Sequence, residues 1–508
     1  MSVFGALFYV ISNNITPIFV CVAIFLLARW LTQPKDPWIL PPGPFAWPII
    51  GNLNKIMPKE GDNSGARRVL EIARQYKTDI LSFKIGSTQA IVLRKFADVK
   101  EAFSKDEFTF VNPTGPVKFI APGIIGTDGA QWKEQRRFAL STLRDFGLGK
   151  NKAQDIIQEE LQKVVETFNE RGGQPFNSKT LICNMVSNII CSLIFGHRFD
   201  YDDKTFQRIL FCSDQIMNSS MRYIILGYLL PIWIKNIIPG DLFRIEYAKS
   251  LMSEIKRDII LKKYKEHVAH YSDDESRDYM DAFIKEMKTH KSKGKEHWFT
   301  EEQLLDNVVD LFFAGTDTST TIIRWLFLYM ANYQEIQEQV RAEIQDVLGD
   351  GRLPTMTDKQ NMPFTEATIL EVMRKQPVAE LLYTRHTSDD ATEFKGFLLP
   401  PRTLVIPNIY AIMNDPDHWT EPEKFNPLRF IGEDGQMIKD DHVLSFSIGK
   451  RQCLGEPLAR MELFLFFVGI MQKFRIEIPP GREAPLKVEL GSGVDTPVIS
   501  ELCFIGIE

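Results

Sequence analysis

The chain of 508 residues has little of what marks several large protein classes. Its six cysteines are scattered and form no CxxC pair, which excludes a disulfide framework and indicates a reducing compartment. A net charge of −6 leaves no basic surplus for binding nucleic acid. We find no internal repeats and no flavin or nucleotide fingerprint. What remains is an ordinary globular composition with 44% hydrophobic and 25% charged residues.

The N-terminus differs from the rest of the chain. Residues 3–28 are almost wholly apolar, which is long enough to span a bilayer, since a spanning helix needs about 20 residues. Arg29 and Lys35 follow this stretch and no basic residue precedes it, so the body of the chain is expected on the cytosolic side. A cleaved signal peptide is the alternative, but a positive leading region and a small-residue cleavage site are missing.

A proline-rich stretch, LTQPKDPWILPPGPFAWP, occupies residues 31–48. Proline fixes φ and removes a backbone donor, so we predict a stiff, extended connector. We therefore divide the chain into an N-terminal membrane anchor (1–30), this linker (31–48) and one large domain (49–508).

The periodicity of apolar residues predicts a mainly α fold with a smaller β portion. Alternation in 81–93 predicts a β-hairpin, and helical spacing dominates 95–375. The charged run 266–298 has little apolar content beyond YMDAFI, and we predict that it contains a surface loop. Residues 402–412 and the tail after 485 are strand-like again. Because the strands come from both ends of the chain, we predict one interlocked domain.

The sequence LFFAGTDTST, at 311–320, lies in the middle of a long apolar helical pattern. Glycine and threonine are poor helix formers, and threonine hydroxyls can bond backbone carbonyls. Two interpretations stay open from these residues alone. Either the stretch kinks the helix or makes polar contacts with a neighbouring helix, or it opens the helix for a functional purpose.

Cys453 lies in a loop between Gly449 and Gly455, just before a strongly apolar helix. Backbone N–H groups and the helix dipole at such a position favour the thiolate, so we expect a lowered pKa. Glycines in the loop would let its backbone approach something large and flat. The alternative is an inert, buried loop cysteine.

The pattern Phe446-x-x-Gly449-x-Arg451-x-Cys453-x-Gly455 resembles the haem-binding signature of the cytochrome P450 superfamily. The resemblance implies haem b as cofactor, with Cys453 as the axial thiolate ligand of its iron. It also implies that Arg451 pairs with a haem propionate and that Phe446 packs near the sulfur.

Further motifs of the same superfamily occur in the expected order. Trp132 and Arg136 resemble its W-x-x-x-R helix, in which both side chains face one propionate. Arg385 stands where microsomal relatives have a propionate-binding histidine, and His386 next to it leaves the register open. The resemblance extends from Pro41 to the C-terminus and is strongest to animal microsomal enzymes of drug and lipid metabolism.

Glu371 and Arg374 resemble the superfamily's buried glutamate–arginine pair, and Arg429 matches its third member. The superfamily more often has Pro-Glu-Arg-Phe around that arginine, where this chain has Leu428. The resemblance implies a structural network that fixes the segment leading to the cysteine loop.

The same resemblance gives Ala314–Thr318 the role of the oxygen-activation motif. Gly315 would open the helix backbone, Thr318 would hold a water that delivers protons, and Asp317 would connect the site to a proton supply.

The residues expected to line the substrate pocket are inferred only from the segments that line it in relatives of the superfamily. They are mostly apolar, which implies a lipophilic substrate. Whether the two phenylalanines of the central helix contact substrate or only the core stays open. Glu380, where relatives often have proline, could meet a substrate hydroxyl or amine, or instead face an arginine or solvent. The expected positions are Phe119, Ile120, Phe312, Phe313, Ala314, Val378, Glu380, Leu381, Leu382 and Val494.

The resemblance implies an anchored monooxygenase of the endoplasmic reticulum membrane. Its electrons would come from NADPH through a separate NADPH–cytochrome P450 reductase, and a role for cytochrome b5 stays open. Lys133, Arg137 and Lys450 could form a cationic docking patch for the donor, or be ordinary solvated charges.

Two other functions are compatible with the motifs. One is a reductase-independent haem-thiolate isomerase or dehydratase of lipid peroxides, which the intact Asp317-Thr318 pair disfavours. The other is a haem-binding protein without catalysis, which the oxygen-activation motif disfavours.

Overall fold

A computed structural model describes residue 24 and residues 37–47, 50–56, 65–86, 88–111, 121–146, 151–229, 245–273, 276–293, 297–349, 351–378, 380–381, 384–489, 494–498 and 500–507. The predicted membrane helix (1–30) lies outside these residues apart from Ile24. None of the helices formed by the described residues is long and apolar enough to cross a bilayer.

Helices dominate the domain, as the sequence predicts. In chain order they are α1 Leu53–Ile56, α2 Gly65–Gln75, α3 Phe96–Ser104, α4 Gly129–Asp145, α5 Asn151–Arg171, α6 Lys179–Phe195, α7 Lys204–Leu229, α8 Ile245–Glu254, α9 Leu261–Ala269, α10 Tyr279–Lys293, α11 Glu301–Asn332, α12 Gln334–Leu348, α13 Pro363–Lys375, α14 Ile409–Met413 and α15 Glu456–Lys473. A π-helical turn, Ile255–Ile260, joins α8 to α9, and 3₁₀ turns cover Asp106–Phe108, Asp358–Asn361 and Pro427–Phe430.

The strands form three small sheets. They are β1 Ile80–Ile85, β2 Thr88–Leu93, β3 Arg385–His386, β4 Thr392–Phe394, β5 Phe397–Leu399, β6 Leu404–Pro407, β7 Phe474–Glu477 and β8 Cys503–Gly506. The largest sheet has the order β1-β2-β6-β3, with β2 and β6 parallel and the other pairs antiparallel. β4 pairs with β5, and β7 with β8. Strands from distant parts of the chain therefore interlock in one domain.

The core is built around α11, which is buried along most of its length. The side chain of Thr300 caps its N-terminus by accepting a 3.1 Å hydrogen bond from the backbone N–H of Gln303. α15 is buried just as deeply, since every residue from Met461 to Met471 is inside. The two helices therefore depend on tertiary packing rather than on an amphipathic surface position.

One local prediction is wrong in part. Strand β6 stops at Pro407, because the side chain of Asn408 caps a new helix by accepting the N–H of Ala411 at 2.9 Å. In the charged run 266–298, the described residues 270–273 and 276–278 lie between helices, as a loop would. The run also includes α10, which buries an apolar stripe with Tyr279 and Phe283.

The described part of the proline-rich linker, 37–47, lies against the domain. Ile39 exchanges backbone hydrogen bonds with Leu398, and the carbonyl of Pro42 accepts from the N–H of Ser82 at 2.8 Å. This portion of the connector is thus attached to the β-sheets.

Candidate functional site

The Cys453 loop is held by its own backbone in a tight turn. The N–H of Cys453 donates to the carbonyl of Phe446 at 2.9 Å, and Ser447 and Gly449 both adopt positive φ. The thiol is exposed to a cavity of about 390 Å³ that Phe446 also lines. The other described cysteines do not line this cavity.

The two glycines of the loop have different surroundings. A Cβ on Gly449 would lie 2.1 Å from the carbonyl oxygen of Phe103, so this glycine lets the loop pack against the end of α3. Gly449 does not line the cavity, and the approach of the loop backbone to a flat ligand stays a prediction. At Gly455 a Cβ would meet only the sulfur of Cys453, 4.0 Å away, so this position faces open space beside the thiol.

The pKa of the free thiol departs from the sequence prediction. Burial raises the pKa of Cys453 above its ordinary value, although the backbone N–H groups of Gly455 and Glu456 and the charge of Arg136 act in the opposite direction. The expected lowering of the pKa is wrong for the protein alone, because desolvation outweighs these dipoles. A bound metal cation would reverse that balance, since it deprotonates a coordinating thiol.

The central helix contributes Ala314, Gly315 and Thr318 to the cavity that holds Cys453. The hydroxyl of Thr318 donates a 2.6 Å hydrogen bond to the carbonyl of Ala314. α11 nevertheless continues without a break. A Cβ at Gly315 would lie 2.5 Å from Cδ1 of Ile190, so the glycine permits close packing against α6, and its opening of the backbone stays a prediction.

Asp317 is half-buried and does not line the cavity. Burial raises its pKa to about 7, with Asp214 acting in the same direction and Lys179 opposing it. Its Oδ2 atom has no hydrogen-bond partner among the described residues. Its proton-transfer role stays a prediction, and any such path must run on the side of α11 that faces Lys179 and Asp214.

Three arginines from distant segments converge on the cavity: Arg136, Arg385 and Arg451. Arg451 donates to the carbonyls of Thr109 at 2.7 Å and Thr127 at 2.5 Å. Burial, followed by the charge of Arg385 and with a smaller effect of Arg136, lowers the pKa of Arg451 to about 9. The cluster therefore has the electrostatics of an anion site, and it fits the two propionates of a haem.

Trp132 and the two neighbours Arg385 and His386 complete this wall. The guanidinium of Arg451 lies over the Trp132 ring at 4.2 Å, so the indole orients this arginine. Burial lowers the pKa of His386 to about 4, which leaves the imidazole neutral at neutral pH. The sequence did not decide whether Arg385 or His386 takes the propionate-binding position. Because His386 is neutral, Arg385 is the one of the two that supplies a positive charge.

Glu371, Arg374 and Arg429 meet in one buried network. Arg374 binds Glu371 in a bidentate pair with distances of 2.7 and 2.9 Å, and Nε of Arg429 lies 3.1 Å from the same carboxylate. Arg374 also donates to the carbonyls of Met413 and Pro422 at 2.8 and 2.9 Å. The network thus ties α13 to the segment before the cysteine loop.

The predicted substrate positions divide into several groups. Ala314 and Val378 line the cavity, whereas Phe312 and Phe313 are buried in the core away from it. Leu381 and Val494 pack on hydrophobic clusters outside the cavity wall. The remaining three apolar positions, Phe119, Ile120 and Leu382, lie outside the described residues.

Glu380 also lies off the cavity wall. Its backbone N–H donates to Oδ2 of Asp495 at 3.1 Å, and its carbonyl accepts from Ile409 at 3.1 Å. Burial, followed by the charge of Glu380, raises the pKa of Asp495 to about 7. Asp495 therefore accepts a hydrogen bond from the backbone of Glu380 and also feels the negative charge of its side chain.

Sequence reasoning missed much of the apolar wall and two acidic residues, Asp310 and Glu462. Glu462 of α15 lines the cavity and accepts a 2.5 Å hydrogen bond from the hydroxyl of Ser319. A single glutamate inside an unbroken apolar helix was the available signal. Helix α6 gave no such signal. The missed apolar residues are Val111, Ile124, Ile125, Leu143, Ile190, Leu193, Ile194, Leu311, Ile322, Met373, Leu454, Leu458, Ala459 and Leu463.

The three basic residues of the expected docking patch are not equivalent. Lys450 lies 2.8 Å and Lys133 3.7 Å from Oδ1 of Asp106, so one carboxylate partly neutralises both. Arg137 is exposed on α4. The surface is therefore weakly rather than strongly cationic.

A family model described as Cytochrome P450 matches residues 41–504 of the chain. The chain belongs to the cytochrome P450 family. It is 38% identical to cytochrome P450 2J2 of Homo sapiens over 490 residues, which cover 95% of this chain and 94% of the relative. It is 37% identical to cytochrome P450 2J5 of Mus musculus, with 95% of each chain covered. It is 35% identical to cytochrome P450 2U1 of Homo sapiens, over 92% of this chain and 89% of the relative.

Membership confirms the family, the mainly helical fold and the class of enzyme that the sequence predicts. The chain is a haem-thiolate cytochrome P450 monooxygenase. The cavity that joins the cysteine loop, the central helix and the three arginines is its candidate active site.

Proposed function

We propose that Cys453 is the axial thiolate ligand of a haem b. We further propose that the chain uses O2 and electrons from NADPH to hydroxylate or epoxidise a lipophilic small molecule. One observation carries this proposal: Cys453 and Thr318, from motifs about 140 residues apart in the chain, line the same cavity. When bound, the haem supplies the activation of O2 and the transfer of one oxygen atom.

Arg136, Arg385 and Arg451 would hold the haem propionates. Each already donates to a backbone carbonyl: Arg136 to Gln452 at 2.5 Å, Arg385 to Arg451 at 3.1 Å, and Arg451 to Thr109 at 2.7 Å. These contacts fix the guanidinium groups before a ligand arrives, which lowers the entropic cost of binding. Phe446 and Gly455 would surround the sulfur.

Thr318 would position a water molecule for proton delivery. Because the proton of its hydroxyl is engaged with the carbonyl of Ala314, the oxygen of Thr318 acts toward the cavity as an acceptor. A water bound there would donate one hydrogen bond to the oxygen of Thr318, and its other hydrogen would stay available for the reaction. Asp317, whose pKa is about 7, would pass protons from the Lys179–Asp214 side of the helix.

The substrate would be lipophilic, because aliphatic side chains from several elements line the cavity around Ala314 and Val378. Electrons would come from NADPH–cytochrome P450 reductase docking on the cysteine side, where Lys133, Arg137 and Lys450 contribute charge. Residues 1–30 would anchor the enzyme in the endoplasmic reticulum membrane, with the catalytic domain in the cytosol.

The test is reconstitution of the haem-loaded chain with the reductase and NADPH, against steroids, fatty acids, terpenoids and xenobiotics. We expect at least one class to give a type I spectral shift and a mono-oxygenated product that requires NADPH, reductase and O2. Conversion of a lipid hydroperoxide without NADPH, with no oxygenated product in the full system, would instead establish the isomerase alternative.

A further inference from the structure

A short segment, residues 121–127, forms part of the cavity wall and is bound directly to the central helix. Ile124 and Ile125 of this segment line the cavity. The carboxyl group of Asp310, in α11, accepts the backbone N–H of Ile125 at 2.7 Å and that of Gly123 at 3.2 Å. One side chain of the central helix therefore fixes the backbone on both sides of Ile124.

Gly123 brings the segment against the helix by a second, independent contact. A Cβ on this glycine would lie 2.7 Å from the carbonyl carbon and oxygen of Asp306 and 2.8 Å from the backbone nitrogen of Asn307, both in α11. Any other residue at this position would push the segment away from the helix. The hydrogen bonds to Asp310 and the missing side chain of Gly123 thus place the same stretch of backbone.

Arg451, one of the three arginines of the cavity, also binds the segment. Its guanidinium donates to the carbonyl of Ile125 at 3.3 Å and to that of Thr127 at 2.5 Å. Both polar groups of the Ile125 backbone are therefore engaged, the N–H by Asp310 and the carbonyl by Arg451. The segment is tied in this way to the central helix and to the cysteine loop.

Asp310 lies on the face of α11 that carries the oxygen-activation residues. It precedes Ala314 by four positions and Thr318 by eight, and all three residues line the cavity. The side chain is buried, and a buried carboxylate is costly unless donors surround it. Burial raises the pKa of Asp310 to about 7, and the two backbone N–H groups oppose that rise. The segment and the carboxylate therefore stabilise each other.

We propose that Asp310 is a positioning residue: by binding segment 121–127 it sets the wall formed by Ile124 and Ile125, and thereby the shape of substrate that the cavity accepts. This role rests on the proposed function, since substrate is taken to bind in the cavity beside Thr318. Asp310 needs no contact with the substrate, because both of its oxygens accept from the segment. It acts through the two isoleucine side chains.

Hydrogen exchange at the amides of Gly123 and Ile125 in the full-length, haem-loaded protein tests the contact. Asp310→Asn keeps the shape of the side chain but replaces one acceptor oxygen by an NH2 donor. At a pH one unit above the pKa of Asp310, exchange at these two amides should be at least about tenfold faster in this variant than in the wild type. Asp306→Asn is the matched control, because this carboxylate lies one turn earlier in α11 and pairs with Lys256. The control should exchange as the wild type does.

Azole binding gives a readout that a purely structural role would not move. Imidazole is small, whereas 4-phenylimidazole fills more of the cavity, and the Soret band reports the binding of each to the haem-loaded protein. We expect Asp310→Asn to bind 4-phenylimidazole at least about fivefold more weakly and imidazole within about twofold of the wild type, because apolar contact with the displaced wall is lost. Gly123→Ala, which leaves the carboxylate unaltered but pushes the segment off α11, should give the same selectivity.

Unchanged exchange at both amides in Asp310→Asn would overturn the proposal, and so would a ratio of azole affinities equal to that of the wild type in both variants. If Asp310→Asn does not retain haem, the azole ratio of Gly123→Ala decides alone. Neither readout uses monooxygenase turnover. A negative result therefore leaves the proposed function standing, whereas failure of that function would appear in the wild type as the absence of an NADPH-dependent product.

Discussion

The hydroxyl of Ser319 donates a 2.5 Å hydrogen bond to Oε2 of Glu462. This contact joins α11 to α15, the two helices that carry or follow the oxygen-activation motif and the cysteine loop. Both residues line the cavity and both are buried. Oε1 of Glu462 has no hydrogen-bond partner among the described residues. The protonation state of one carboxyl group is therefore coupled to the packing of the active site.

Glu462→Gln should change how stability depends on pH. Burial raises the pKa of Glu462 from 4.5 to about 8. The folded wild type keeps a proton that the unfolded chain releases, so its free energy of unfolding falls as pH rises between these values, by at most about 1.4 kcal/mol per unit. The glutamine variant lacks this pH-dependent contribution. Denaturant unfolding at pH 5, 6, 7 and 8 should therefore show that its free energy of unfolding, relative to that of the wild type, rises with pH. A difference that is constant across pH contradicts the assignment.

Gly315→Ala should destabilise the protein, because the new methyl group would lie 2.5 Å from Cδ1 of Ile190. We expect a loss of about 1–3 kcal/mol in the free energy of unfolding, as for overpacked cores. Ile190→Ala in the same chain should relieve part of this loss, which a double-mutant cycle measures. Gly351→Ala is the control, since a Cβ there meets nothing within 4 Å. Additive effects of the two substitutions would show that the helices do not press on each other here.

Thr318→Ala should retain haem but release more of the reducing equivalents as peroxide, because the water acceptor in the cavity is lost. The measurement is product and hydrogen peroxide formed per NADPH consumed. Thr316→Ala is a matched control, since Thr316 bonds Ser187 at 3.2 Å and does not line the cavity. Unchanged coupling in the Thr318 variant would show that its hydroxyl takes no part in proton delivery.

Arg374→Ala should destabilise the fold by about 3–5 kcal/mol, because it leaves the buried carboxylate of Glu371 with one of its two arginine partners. Thermal unfolding and haem retention are the readouts. Lys249→Ala, which breaks an exposed pair with Glu246, should change the free energy of unfolding by less than about 1 kcal/mol. Similar losses in the two variants would mean that the network contributes no more than a surface ion pair.

Sequence reasoning located the site because its residues occur in fixed local patterns. Cys453, Arg136 and Thr318 belong to three separate motifs, and the fold brings all three to one cavity. Helical periodicity likewise predicted α11 and α15, and alternation predicted the β1–β2 hairpin, whose strands pair from Ile80 opposite Leu93 to Ile85 opposite Thr88.

The rest depends on which distant residues meet, and no local pattern encodes that. A Cβ on Gly315 would clash with Ile190, and one on Gly449 would clash with the Phe103 carbonyl, and no local pattern foretells either contact. The pKa of Cys453 was misjudged for the same reason. A helix N-terminus is visible in sequence, whereas the desolvation that outweighs its dipole is not.

The absorption spectrum of the reduced, CO-treated haem-loaded protein tests the central claim most directly. We predict the red-shifted Soret band of thiolate ligation in the wild type and in Cys183→Ser, whose thiol lies off the cavity, and its loss in Cys453→His. An unshifted band in the wild type, or a red-shifted band that survives in Cys453→His, would contradict the assignment of Cys453 as the haem ligand.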